Sequence, residues 1–156
     1  MARKNDCKAI VFVDDFIGTG GTLEECVRNL TPQVCELLKT TAFSSYVIAV
    51  TGFGVGQGRV EAALGAQGLN TGVHVCDPIP GSQMLFCEQS VVFPDLSDRL
   101  KAKDIAFEYG NKLLPDAPLG FGDCEAVVVF ENKIPNNCLP ILWKESKDWQ
   151  PLFRRT

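Results

Sequence analysis

The chain has 156 residues, 46% of them apolar, and a formal charge of −4 at neutral pH. That length and apolar share suit one core, so a single domain over residues 1–156 is expected. The acidic balance, with no run of Lys or Arg, argues against nucleic acid as a partner. No apolar stretch reaches membrane-spanning length and the polar start Met1–Asp6 lacks the apolar run of a secretory signal, which points to the cytoplasm and away from a membrane.

Seven cysteines, at 7, 26, 35, 76, 87, 124 and 138, form no CxxC pair, so reduced and mostly buried thiols are expected. Zinc and disulfide readings are both weak, and no metal site built from protein ligands is expected. His74 is the only histidine. Between Val73 and Val75 it reads as a residue facing a neighbouring element across a strand, not as a base.

Residues 1–8 are polar and read as frayed. Ile10-Val11-Phe12-Val13 is an apolar, β-branched run that reads as a strand buried on both faces and stopping at Asp14, because Asp14 and Asp15 would not be tolerated unpaired inside it. The loop Gly18-Thr19-Gly20-Gly21-Thr22 follows, then Leu23-Glu24-Glu25-Cys26-Val27 with helical composition. Thr22 and Glu25 have the spacing of a capping box, which makes Thr22 the expected N-cap.

A glycine-rich turn entering a helix gathers backbone N–H groups at the positive end of the helix dipole, a setting that suits phosphate. Two carboxylates beside it suit vicinal hydroxyls, and a ribose 5-phosphate unit has that layout. The plainer alternative is a tight strand-to-helix turn with two solvated acids.

Leu23, Cys26, Val27 and Leu30 keep helical spacing up to Thr31-Pro32, and Val34, Cys35, Leu37 and Leu38 continue it. A kink or two successive helices ending near Thr41 is expected. Tyr46–Thr51 reads as a second buried strand. It leads into Gly52-Phe53-Gly54-Val55-Gly56-Gln57-Gly58 and a helix from Arg59 to about Ala66, stopped at Gly68. Gln57 and Arg59 stand where a dinucleotide fingerprint would need glycine, so this segment reads as a structural turn that would line the same cleft only as the weaker alternative.

Gly72–Asp77 reads as a third strand, closed by Pro78 and Pro80. Strands alternating with helices predict an α/β fold with a mostly parallel, twisted sheet flanked by helices, and Asp14, Gly20, Gly52 and Asp77 on the rim at the strands' carboxyl ends. Further on, a helix is expected from Pro94-Asp95 to about Lys112 and a strong strand over Glu125–Asn132. Asn136 and Asn137 follow in a turn that could offer amides to a base or partner, or simply end the turn. Trp143 and Trp149 suit either packing or an interface, and Arg154-Arg155 a solvated tail.

The thirteen residues Ile10–Thr22 resemble the phosphoribosyl pyrophosphate (PRPP) motif of type I phosphoribosyltransferases: an apolar strand, two acids, two variable residues and a Thr-Gly-Gly-Thr loop. The series Pro118-Leu119-Gly120-Phe121-Gly122, Pro135-Asn136-Asn137 and Leu139-Pro140-Ile141-Leu142-Trp143 resembles the C-terminal pattern of phosphoribosyltransferase-like domains in bacterial conflict and defence operons, with Cys138 where a hydroxyl residue is usual.

The resemblance implies a phosphoribosyltransferase-like, Rossmann-like core. It implies Asp14 and Asp15 on the ribose hydroxyls, and Ile17, Gly18, Thr19, Gly20, Gly21 and Thr22 holding the 5-phosphate. It also implies Mg²⁺ accompanying PRPP and transfer of phosphoribosyl to a nucleobase-type acceptor. Family members usually carry early strands and a pyrophosphate loop before this motif, whereas nine residues precede Ile10. A partner protein, an upstream segment, or a sensing module without catalysis in a defence or regulatory system would each account for that, and a sheet edge left open would want a partner.

Overall fold

The computed structural model describes residues 8–40, 44–131 and 133–154. Contacts divide the chain into two compact units, Met1–Ile79 and Pro80–Thr156. The first contains β1 (Ala9–Ile17), α1 (Gly21–Arg28), α2 (Pro32–Lys39), β2 (Ser44–Phe53), α3 (Gly54–Ala66) and β3 (Thr71–Ile79). Its strands form one parallel sheet in the order β1-β2-β3. This is the expected α/β arrangement.

Strands added in one direction through crossovers of one hand send their connecting helices to the same face. Val27 of α1, Leu38 of α2, and Val60 and Leu64 of α3 accordingly share one core with Val47 of β2. Burying each such side chain contributes about 1.5–3 kcal/mol. The opposite face carries Val11, Val13, Tyr46 and Val50 exposed, Val13 at 76%.

β1 is therefore not a strand buried on both faces. Among the described residues it is a sheet edge with one covered side. It also continues past Asp14, pairing Phe16 with Thr51 and Ile17 with Gly52. An edge tolerates the two acids because both are only half-buried, and the Asp14 carboxylate accepts the Asp15 backbone N–H at 2.9 Å. β3 likewise runs beyond Asp77 through Pro78 to Ile79. As an edge strand it has a side on which a missing N–H costs no ladder bond.

Thr31 and Pro32 separate α1 from α2: Pro32 takes the first helical position, and the Thr31 hydroxyl accepts the Val34 N–H. The expected end at Thr41 lies outside the described residues. α3 begins at Gly54, five residues before the expected Arg59, and Gly68 past its end has φ +66°.

In the second unit, α4 (Leu96–Leu113) is capped by Asp95, whose carboxylate accepts the Asp98 N–H at 3.0 Å, and α5 spans Pro140–Trp143. Leu85, Phe86, Ala106, Leu119 and Leu139 form its core. The strand expected over Glu125–Asn132 does not form among the described residues, which show only isolated bridges at Ala126–Cys138 and Phe130–Lys133; Asn132 itself lies outside them. Two local features oppose an extended ladder. Asp123 and Glu125 take positive φ, 49° and 52°, and the Cys138 thiol occupies both the N–H and the carbonyl of Val128.

Glu125 is buried, accepting from Lys103 Nζ at 2.6 Å and from the Phe86 N–H at 3.2 Å. The Asn137 amide donates to the Phe121 carbonyl, and the indoles of Trp143 and Trp149 donate to the carbonyls of Cys138 and Ile141. These bonds tie Asn137 and both tryptophans to backbone of their own unit. Arg154 is exposed, while Arg155 and residues 1–7 are not described.

The thiols are less buried than expected. Cys26 and Cys76 are exposed and only Cys124 and Cys138 are fully buried, all as free cysteines, with Cys7 outside the described residues. Burial pushes the Cys124 thiol up from 9.0 to about 12, aided by the nearby Cys138 and Glu125. A raised thiol pKa stabilises the fold below the unfolded value and loses that contribution as pH climbs through the folded one. The urea midpoint should fall between about pH 9 and 12, more steeply in the wild type than in Cys124→Ala; parallel slopes would remove this assignment.

Gly110 offers a second check. Replacing an interior helix glycine with alanine ordinarily stabilises by about 0.5–1 kcal/mol. Here a Cβ would run into the Pro118 carbonyl oxygen. Gly110→Ala should therefore lower the midpoint of chemical denaturation, and a raised midpoint would show that the contact yields.

Candidate functional site

The parallel register sets Ile17, Gly52 and Pro78 in one row across the carboxyl end of the sheet. The loop Gly18–Gly20 leaves from this row and α1 starts at Gly21. Phe16 and Phe53 meet edge-to-face beneath the rim with centroids 6.0 Å apart, tying the ends of β1 and β2 together. Thr51 Oγ1 donates to the Asp77 carbonyl at 2.5 Å and ties β2 to β3.

Backbone packing fixes the loop. A Cβ on Gly56 would strike the Gly18 carbonyl oxygen, and one on Gly20 would lie 2.5 Å from the Gly56 oxygen. A Cβ on Gly52 would lie 2.5 Å from the Ile17 oxygen. Gly20 adds φ +74°, a conformation that glycine adopts without steric cost. The Gly52–Gly58 segment is therefore not the turn expected: Gly52 and Phe53 end β2, Gly54–Gly58 open α3, and that first turn of α3 buttresses the first glycine loop.

Capping differs from expectation. Gly20, not Thr22, is the N-cap of α1, and no side chain caps this helix. With Gly20 left-handed, the helix begins two residues earlier than the capping-box spacing implied; Thr22 sits in the first turn and Glu25 is exposed. The Glu24 N–H donates to the Gly20 carbonyl at 2.9 Å, the bond that opens the helix. The N–H groups of Gly21, Thr22 and Leu23 precede it, where helix geometry supplies no carbonyl partner.

The other candidates fall at different depths. Ile17 is 1% exposed and packs with Ala49 and Val75, so only its backbone faces the loop. Gly18 and Gly20 are buried, Thr19 and Gly21 half-buried, and Thr22 exposed. Asp14 and Asp15 occupy consecutive positions of β1, which continues past them, and both are half-buried. His74 is exposed on β3 opposite Ile48.

Among the described residues no three His, Cys, Asp or Glu side chains gather to hold a metal ion. The pair Asp14 and Asp15 offers oxygen donors of the kind Mg²⁺ takes while keeping water and phosphate in the rest of its shell. No described helix is long and apolar enough to cross a membrane.

One cluster escaped the sequence reading. Glu24 in the first turn of α1 pairs with Arg28 one turn on and with Arg59 from α3. The Glu24–Arg28 spacing was a readable helix pair. Arg59 carried no signal, because only the fold brings α3 to α1.

The parallel three-strand sheet flanked by helices is that of a phosphoribosyltransferase-like fold. The family model described as PRTase-CE matches residues 1–155, and the chain belongs to that family. Neither the curated proteins nor the solved structures include a significant match.

The glycines separate two effects that a single substitution would confuse. Gly20→Ala and Gly56→Ala should each destabilise the fold, by roughly 1–3 kcal/mol as overpacking costs elsewhere. Gly21→Ala should be tolerated, since its Cβ would meet nothing closer than 3.8 Å. Denaturation midpoints of the three variants check this, and equal stability at all three positions would refute the packing argument.

Proposed function

We propose that residues 17–22 bind the 5-phosphate of PRPP or of a ribose 5-phosphate nucleotide, with Asp14 and Asp15 toward the ribose, and that the chain acts in the cytoplasm. The observation that carries the reading is the uncapped start of α1 directly beyond the acid-bearing strand. Backbone N–H groups there lie at the positive end of the helix dipole, where an anion is stabilised.

The chemistry this supports is transfer of phosphoribosyl to a nucleobase-type acceptor. The bond from the anomeric carbon to pyrophosphate breaks, and a bond to an acceptor nitrogen forms. Positive charge develops on the sugar between the two events, and carboxylates held near it stabilise that charge without a protein nucleophile. Mg²⁺ accompanying PRPP, with Asp14 and Asp15 as the nearby oxygen donors, would supply charge neutralisation of the leaving group. This chain's residues bind, orient and stabilise.

A second reading has its own support. The exposed apolar positions Val11, Val13, Tyr46 and Val50 and the edge strand β1 suit a partner protein or a further segment. A module that senses PRPP or a nucleotide and reports to a partner, in a bacterial defence or regulatory system, would use the cradle without transfer.

Calorimetric titration of the chain with PRPP and Mg²⁺ tests the binding reading. Binding is expected, with a loss of tenfold or more in Asp14→Asn or Asp15→Asn, about what one hydrogen bond to a charged group contributes. The single variants show which carboxylate meets the ribose. No heat from a folded chain, or unchanged affinity in both variants, would overturn the assignment. Release of pyrophosphate with an acceptor present then separates transferase from sensor.

A further inference from the structure

We propose that Arg59 is a phosphate-reading residue of this site, held between ligands by Glu24. The inference rests on the ribose-phosphate reading above and extends it to a residue of α3. Glu24 has a side chain only 14% exposed, and its two oxygens are divided between two cations: Oε1 accepts from Arg28 Nη2 and Oε2 from Arg59 Nε. Two guanidinium groups on one carboxylate leave a net positive charge beside the start of α1.

The two arginines are not equivalent. Arg28 lies one turn along α1 from Glu24, an ordinary exposed pair of the helix surface. Arg59 lies one turn beyond Gly56, the residue whose backbone packs on Gly18 and Gly20. The contact that locks the loop therefore also fixes where the Arg59 side chain begins. Its Nη1 and Cζ stand 3.8 and 4.0 Å from the point a Cβ on Gly21 would occupy, and Thr19 Oγ1 stands 3.8 Å from the same point. Nε is given to Glu24 while Nη1 is turned to the helix start, so one planar group spans the carboxylate and the cradle.

A phosphate monoester at the N–H groups of Gly21 and Thr22 would bring a second acceptor to that fork, competing with Glu24 for Arg59. A guanidinium suits this role, since its fixed fork of donors matches phosphate oxygens. Glu24 then acts on affinity through charge: it orients Arg59 in the empty site, and its own negative charge opposes the incoming dianion. The pair sets selectivity for the dianionic sugar phosphate over the uncharged sugar.

Calorimetric titrations of the full chain with ribose 5-phosphate and with inorganic phosphate, on wild type, Arg59→Ala, Arg59→Lys and Glu24→Gln, test this, with a urea midpoint for each. Arg59→Ala should weaken ribose 5-phosphate roughly 10- to 100-fold and Arg59→Lys less, while Glu24→Gln should tighten it a few-fold. A pair that merely clamps α1 to α3 would move both affinities in the same direction, following the loss of stability. Parallel weakening, or wild-type affinity in Arg59→Ala, would overturn the role of Arg59 and leave the site standing if Asp14→Asn or Asp15→Asn still impairs binding. A folded wild type that binds neither ligand would overturn the site and this inference together.

Discussion

The contact on which the first unit's candidate site depends has no side chain in it. Gly18 and Gly20 meet Gly56 backbone to backbone, closer than any Cβ would permit. Three consequences follow from that approach. The loop after β1 takes its shape from α3, Gly20 can hold the left-handed conformation that starts α1, and the root of Arg59 is set one turn further on. A cradle made this way loses no side-chain entropy on binding, because its donors are main-chain groups ordered by the fold itself.

The same arrangement divides the first unit into a settled face and an open one. On one side of the sheet three helices bury Val27, Leu38, Val47, Val60 and Leu64 together. On the other, Val11 and Val13 of β1 and Tyr46 and Val50 of β2 stay exposed. Asp14 and Asp15, both half-buried, lie on β1, the strand at the edge of that sheet among the described residues.

Much of the first unit was legible in residues 9–79 because its signals are local. Apolar runs gave the three strands, Thr31-Pro32 the break between α1 and α2, and Gly68 the end of α3. The misses have tertiary causes. The number of neighbours a strand will have is not written in its own residues, so Val11 and Val13 looked buried on both sides. Pro78 stayed in a strand because β3 is an edge, and Gly54–Gly58 became helix because α3 had to approach the loop. Thr22 and Glu25 matched a capping box, but the left-handed Gly20 started the helix first. In the second unit, the valines at 127–129 promised a ladder, and positive φ at Asp123 and Glu125 with a thiol bonded across Val128 denied it.

What the second unit does with its polar residues bears on where chemistry can occur. Glu125 is the buried acid that composition would nominate as a general base, yet its two oxygens are taken by Lys103 and by the Phe86 N–H. Asn137 spends its amide on Phe121, and the indoles of Trp143 and Trp149 close on carbonyls of their own unit. Freeing the buried Glu125 or the buried Trp143 indole would leave a desolvated partner behind at about 1–3 kcal/mol. By contrast, the first turn of α1 has donors that neither a cap nor helix geometry satisfies. Under the proposed function, a reaction that needs positioning and charge stabilisation rather than a nucleophile would use that turn, and selectivity would fall on the charges at its margin, Asp14 and Asp15 before it and Arg59 beside it.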